Sequence, residues 1–440
     1  MAKKILLIGV FTGLAQIISF YGISFVVKMN ADKLFLFNLA EIESAIVIIL
    51  SVMSFGLQQV ATRDIAINNN WPQILSSTQE NRFSMGLFLA LFGLLFYFLT
   101  LDTYYFIFLL SPLIALNIDY ALYGRGLSVQ ASFLSLIKVG IPSIILIILG
   151  YYGFFSINIY LVSIILAWLI ISILSNIYLN HKVFVKPTVN FFKTYLKNSK
   201  IGFTDIALTA LKLGILTLAK PFYDETAIAN AFVVLKLYIL IKGLQRVIFQ
   251  AFYRELTNVK KAFLIDKIGL IIGFLFFVIT LFYPQELILF LFSKDYLNTS
   301  NLFVLIGITA LLSSISITAS PRMLLLKKDK NYIQAYLFAF IGLLIFLFIV
   351  SKSPYLYYGI IGAILFGELI LNTMFFIALK KELFTQERFY FLLELVFLFT
   401  LMIFMSFFFQ PIVSMIINGI ITVFYGLYFL IKHRSQFFTI

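Results

Sequence analysis

Apolar residues in this chain come in runs of about twenty, separated by short polar connectors, and do not alternate as on a half-buried surface. A run of that length crosses a bilayer as a helix. Fourteen such segments can be drawn, at 5–27, 34–57, 84–100, 103–123, 131–150, 156–178, 201–219, 228–250, 263–283, 301–320, 333–350, 357–379, 390–408 and 411–431. The stretch 286–293 is too short to span and reads as an interfacial turn. In the longest polar connector, 179–200, Lys193, Lys197 and Lys200 share one helical face, with Phe191, Phe192, Tyr195 and Leu196 elsewhere. That is the pattern of an amphipathic helix lying against headgroups.

The connector divides the chain into an N-lobe of six helices (1–178), the linker (179–200), a C-lobe of six helices (201–379), and two further helices with a tail (380–440). Short internal similarities support two copies. Gly56-Leu57-Gln58-Gln59-Val60 matches Gly243-Leu244-Gln245-Arg246-Val247, and Val129-Gln130-Ala131 matches Ile333-Gln334-Ala335. Copies with an even number of helices share one membrane orientation, so an axis along the membrane normal relates them. The fold class expected is an all-α polytopic membrane protein of two six-helix lobes in pseudo-twofold relation, with two C-terminal helices.

Composition excludes other classes. With 62% hydrophobic and only 12% charged residues, a 440-residue chain cannot hide its apolar surface from water. The net charge of +14 would suggest nucleic acid in a soluble protein. Here the cations sort by side of the membrane, and no nucleic-acid partner is expected. With the N-terminus inside, only Lys28, Lys33, Lys220, Lys294 and Lys352 are external. Lys138, Lys212, Lys236 and Lys242 lie within helices, and every other Lys and Arg falls on the cytoplasmic side. Both termini are therefore expected in the cytoplasm. The run after Met1-Ala2-Lys3-Lys4 is too long for a signal peptide and reads as the first spanning helix. Absence of cysteine excludes disulfides and thiolate chemistry, and His181 and His433 lie in polar connectors, so no metal centre, catalytic residue or bound cofactor is expected.

A charge at bilayer depth costs about 2.5–3.5 kcal/mol on insertion scales, which makes intramembrane charges the candidate chemistry. Lys138, Lys212, Lys236 and Lys242 are candidate ligands for a phosphate-bearing substrate, since a polyanion in low dielectric needs cations along its route. Lys212 lies roughly 18 Å up the seventh segment at 1.5 Å per residue, and Lys236 lies near the middle of the eighth. Lys242 and Arg246, four residues apart, share one face and run from there toward the cytoplasm. The alternative for each is neutralisation: Asp205 shares a face with Lys212, and Lys242 can snorkel. Glu41, Glu43 and Glu368 are candidates for coupling to H⁺ or Na⁺. Gly9 and Gly13 suggest a close helix contact, and Pro112 and Pro142 suggest bends in the fourth and fifth segments.

Several motifs, in order along nearly the whole chain, resemble the polysaccharide-export and O-antigen flippase family. Gly56-Leu57-Gln58-Gln59-Val60-Ala61-Thr62-Arg63-Asp64-Ile65-Ala66 is similar to the family's pattern closing the second helix, with Asp64 where an aromatic residue is usual. Asp119–Gly126, Phe290–Tyr296 and Arg322–Lys328 resemble its turn after the fourth helix, its segment before the tenth and its exit from the tenth. The family belongs to a superfamily that also contains multidrug and toxin extrusion transporters. The resemblance implies an undecaprenyl-pyrophosphate-linked oligosaccharide, moved by alternating access to the outer leaflet of a bacterial cytoplasmic membrane through a V-shaped cavity between lobes. It implies polysaccharide polymerase and chain-length machinery as partners. A drug exporter of the same superfamily is the main alternative, although such pumps favour acids over cations. A membrane glycosyltransferase or polymerase is the other, although the longest external connector carries only Glu286, Lys294 and Asp295.

Overall fold

The structure is a computed structural model describing residues 2–251, 256–380 and 386–432. Arg254, Lys381, His433, Arg434 and the side chains of Lys3, Lys4 and Lys200 lie outside the described residues. Within them, secondary structure is entirely helical, and the chain forms two compact units, Met1–Val233 and Val234–Ile440. Among the described residues thirteen helical segments are long and apolar enough to cross a membrane, with one shorter apolar helix, Ile201–Ala210. This is a multi-pass membrane protein.

The first unit runs α1 (Ala2–Lys28), α2 (Lys33–Ser54), α3 (Leu57–Ile67) and α4 (Trp71–Thr100), then a 3-10 turn (Thr103–Leu110), α5 (Ser111–Ala115), α6 (Asp119–Gly124), α7 (Ser128–Tyr151) and α8 (Ile157–Tyr178). It continues through α9 (Phe191–Lys197), α10 (Ser199–Ala210) and α11 (Gly214–Ala219) into α12 (Glu225–Ala251). Asp32 starts α2 by accepting from the Phe35 amide at 2.6 Å, relieving one of the four orphan donors of a helix end. The close approach of α1 to α7 is made at Gly22, where a Cβ would stand 3.0 Å from the Ser143 carbonyl. Gly13 faces open space instead. α7 runs unbroken through Pro142, so that proline does not interrupt the helix. The linker helix α9 buries Phe191 and Tyr195, and the Tyr195 hydroxyl donates to the Met53 carbonyl at 2.5 Å.

The second unit, from Val234 within α12, contains α13 (Val259–Phe282), α14 (Pro284–Leu291), a 3-10 turn (Lys294–Thr299), α15 (Ser300–Ser314), α16 (Ala319–Leu325), α17 (Asp329–Ser351), α18 (Gly359–Ala378), α19 (Gln386–Phe408) and α20 (Pro411–Lys432). α19 and α20 pack on α13 through Leu264, Phe274, Phe391, Leu398 and Phe429.

Three spans are broken, and two of the breaks are bound by a buried ion from the preceding span. Between α5 and α6, Leu116-Asn117-Ile118 leaves the helix, which frees backbone groups that hydrocarbon cannot satisfy. Arg82, fully buried, donates to the Asn117 carbonyl at 2.6 Å; Gln79 donates to Ala115 (2.8 Å) and Asn176 to Leu116 (3.0 Å). The Ile118 amide donates to Ser175. The break falls after Pro112, which occupies the first turn of α5, where its missing N–H costs nothing. Between α15 and α16 the polarity is reversed: buried Asp266 accepts from the Thr318 amide at 2.9 Å and is neutralised by Arg388. Arg82, Arg322 and Arg388, placed by sequence in the cytoplasmic connectors, are all buried, and Arg322 donates to the Leu256 carbonyl at 3.0 Å.

The seventh span is also broken, at Leu211-Lys212-Leu213 between α10 and α11, which is why it falls short of a continuous spanning helix. Its first half is tied to the motif closing α2. Gly56 has φ +79° and donates its amide to Asp205 at 2.7 Å, and Gln59 donates to the same carboxylate at 2.5 Å. A Cβ at Gly56 would lie 3.1 Å from the Gly202 nitrogen and the Ile201 Cβ.

Two stability outcomes follow. Gly56→Ala meets both a left-handed φ, costing about 1–2 kcal/mol, and a crowded neighbour, so it lowers the thermal unfolding temperature in detergent more than Gly126→Ala, whose φ is +74° with open space around it. His181, in the connector after α8, sits between Ser76 and Asn176 at 3.1 Å each, and burial lowers its pKa from 6.5. The unfolded chain then binds this proton more readily, so the contribution is complete above the unfolded pKa and is lost as pH falls from there through the lowered folded value. Unfolding temperatures of the wild type and His181→Gln, measured from pH 7.5 to pH 5, should converge on acidification.

Candidate functional site

The seven candidate residues divide between the two units. In the first, Lys138 on α7 pairs with Asp119 at 3.6 Å and lies over the Trp168 ring of α8 at 5.1 Å. The Asp119 amide is capped by Asn117, so this pair adjoins the break held by Arg82. Lys212 sits in the break between α10 and α11, where its charge acts on Asp205.

Glu41 and Glu43, two residues apart on α2, turn to different helices. Glu41 meets Lys220 at 2.5 Å, and Lys220 also approaches Asp102 (3.8 Å) and lies over the Tyr104 ring at 4.4 Å. Beside this cluster Thr217 donates to Ser44 at 2.9 Å. A cavity of about 10 Å³, room for a single water, lies against Glu41, Tyr104, Thr217 and Lys220. Glu43 instead accepts from the Tyr160 hydroxyl of α8 at 3.0 Å. The broken seventh span is thus fastened near one end by Asp205 to the turn after α2 and at the other by Lys220 to α2, with Lys212 between.

In the second unit, Tyr238 and Lys242 lie four residues apart on α12 and present one face to Glu368 of α18. The Tyr238 hydroxyl donates to Glu368 Oε1 at 2.7 Å, and Lys242 Nζ lies 3.0 Å from the same oxygen. One residue predicted to bind substrate and one predicted to couple an ion therefore form a single neutral pair. Glu368 adjoins Asn372, which accepts from Ser316 in the break between α15 and α16. Lys236, only 6% exposed, lies six residues before Lys242, about a third of a turn round the helix.

Sequence reading missed Lys220, assigned to an external connector, and Tyr160, an apolar-looking residue in an apolar run. It also missed the buried Asp266–Arg388 pair. The i,i+4 pairing of Tyr238 with Lys242 was the available signal for the Glu368 site.

No protein-family model and no curated protein matches the sequence. Solved structures do match in fold. A structure described as the lipid II flippase MurJ in an inward closed conformation superposes with a TM-score of 0.72 at 18% identity, covering 98% of this chain and 100% of that one. A multidrug resistance MATE family transporter of the MOP superfamily gives 0.61 at 14% identity in its inward-facing conformation, covering 85% of this chain and 94% of that one. A structure described as the outward-facing conformation of a multidrug resistance MATE family transporter of the MOP superfamily gives 0.55 at 14%, covering 87% of this chain and 95% of that one. The fold is shared with these structures.

Removing one partner of a buried pair leaves an uncompensated charge, at about 3–5 kcal/mol. Glu368→Ala should therefore lower thermal stability sharply, while Lys242→Met combined with Glu368→Leu should recover most of the loss. Unfolding followed in detergent for the single and double variants measures this.

Proposed function

We propose that the protein is a flippase that carries an undecaprenyl-pyrophosphate-linked oligosaccharide from the inner to the outer leaflet of a bacterial cytoplasmic membrane by alternating access. The observation that carries this reading is the full-length likeness in fold to a lipid flippase, 98% of this chain against 100% of the other. The drug exporters cover less of this chain, 85% and 87%. That favours a lipid-linked substrate over a drug. In this reading both termini lie in the cytoplasm.

Lys138, Lys212, Lys236 and Lys242 meet the pyrophosphate in succession. A phosphate is a stronger and more concentrated anion than a carboxylate, so it can take the place of Asp119 at Lys138 and of Glu368 at Lys242. Glu368 displaced in this way is left without its cation in low dielectric and takes up a proton or Na⁺. Glu41 and Glu43 supply the same coupling chemistry in the first unit. Substrate entry and ion uptake thus become one exchange at a single pair.

Lys212→Ala and Lys236→Ala should abolish surface polysaccharide in cells at unchanged membrane levels of the protein, and the Arg variants should retain part of it. Normal polysaccharide in both Ala variants overturns this assignment. Flux that ignores collapse of both H⁺ and Na⁺ gradients removes the three glutamates from the mechanism.

A further inference from the structure

A second chemically distinctive site lies in the second unit, where α19 begins and α20 ends against α13. A cavity of about 220 Å³ there is lined by Lys267, Lys432, Glu387, Glu394, Tyr425 and Tyr428, among others. None of these residues takes part in the transport chemistry above. Glu387 is in the first turn of α19 and Lys432 is the last residue of α20, so the cavity opens at helix ends, the level of a membrane–water boundary. Glu394 and Tyr425 lie seven residues further in, roughly 10 Å along each helix.

The charges are organised. Lys267 stands with its ammonium over the rings of Phe263 (4.4 Å), Phe391 (5.1 Å) and Phe429 (5.6 Å), which holds a cation on an apolar wall. Tyr425 donates to Glu394 at 2.7 Å and fixes one carboxylate oxygen, and Lys432 lies over the Tyr428 ring at 5.6 Å. Two ammonium groups and two carboxylates thus line one small aromatic-walled hollow. It is smaller than the roughly 300–1,000 Å³ typical of pockets for larger ligands, which suits a headgroup and not a sugar chain.

We infer that this cavity is a binding site for a phospholipid headgroup carrying both a phosphate and a primary ammonium. The phosphate faces Lys267 and Lys432, and the ammonium faces Glu387 and Glu394. A net anionic headgroup would set its charge against two carboxylates with no cation of its own to answer them. A quaternary ammonium could not donate hydrogen bonds to those carboxylates, which charge-assisted bonding rewards. The occupant is therefore an ethanolamine phospholipid of the surrounding bilayer, held as a fixed lipid against the two terminal helices. The site is independent of the flippase reading, because it uses none of the residues assigned to transport.

The test is lipid retention. The full-length protein in detergent is exchanged against vesicles of equimolar dioleoyl phosphatidylethanolamine, phosphatidylcholine and phosphatidylglycerol, and bound lipid is read by native mass spectrometry. Phosphatidylethanolamine should be retained over both others. Glu387→Gln and Lys432→Met, both at exposed positions, should each reduce that retention roughly tenfold, the worth of one lost charge-assisted hydrogen bond, with unchanged unfolding temperature in lipid-free detergent. Preference for phosphatidylglycerol or phosphatidylcholine, equal retention of all three, or wild-type retention by both variants overturns the inference.

Discussion

In hydrocarbon, a backbone group released from a helix must be satisfied by the protein itself, and this constraint organises both units. Three spans are broken, at 116–118, 211–213 and 315–318. At the first, a guanidinium reaches a carbonyl; at the last, a carboxylate reaches an amide. Each ion comes from the preceding span and each is buried. The opposite signs match opposite needs: a freed carbonyl calls for a donor, a freed amide for an acceptor. Breaking a span is tolerable only where such a partner is at hand, so the position of the break and the identity of the buried ion are a single structural fact.

The same accounting governs side chains. Lys138 meets Asp119, Lys220 meets Glu41, Lys242 meets Glu368, and Arg388 meets Asp266. Each pair is close to neutral, which removes most of the cost of placing ions at depth, and each joins different segments of one unit. A pair of this kind is also a place where an external anion can compete. The pairs at Lys138 and Lys242 adjoin broken spans, whereas the Asp266–Arg388 pair is itself the support of one. Competition by an external anion is therefore compatible with the first two and would undo the third.

What the chain determined by itself was the class of the protein. Runs of apolar residues longer than any soluble core requires, cut by cation-rich connectors, dictate a polytopic helical membrane protein whatever the contacts. The motif Gly56-Leu57-Gln58-Gln59 was visible too, as one copy of an internal repeat, although its left-handed turn at Gly56 was not. The face shared by Tyr238 and Lys242 was legible from helical spacing alone, but its partner Glu368, 126 or more positions away, was not.

Only the tertiary structure decided which intramembrane charges neutralise one another, and where spans break. The seventh segment reads in sequence as continuous, since nothing in Leu211-Lys212-Leu213 forbids a helix; in the structure it breaks there, and its two halves are held through Asp205 by the turn after α2 and through Lys220 by α2 itself. Arg82 reads as a connector charge until α4 is seen to begin at Trp71, which puts that guanidinium roughly 16 Å along the helix. Local sequence sets which residues are costly in a bilayer. The partner that relieves that cost comes from a distant part of the chain, and long-range pairing leaves no periodic trace.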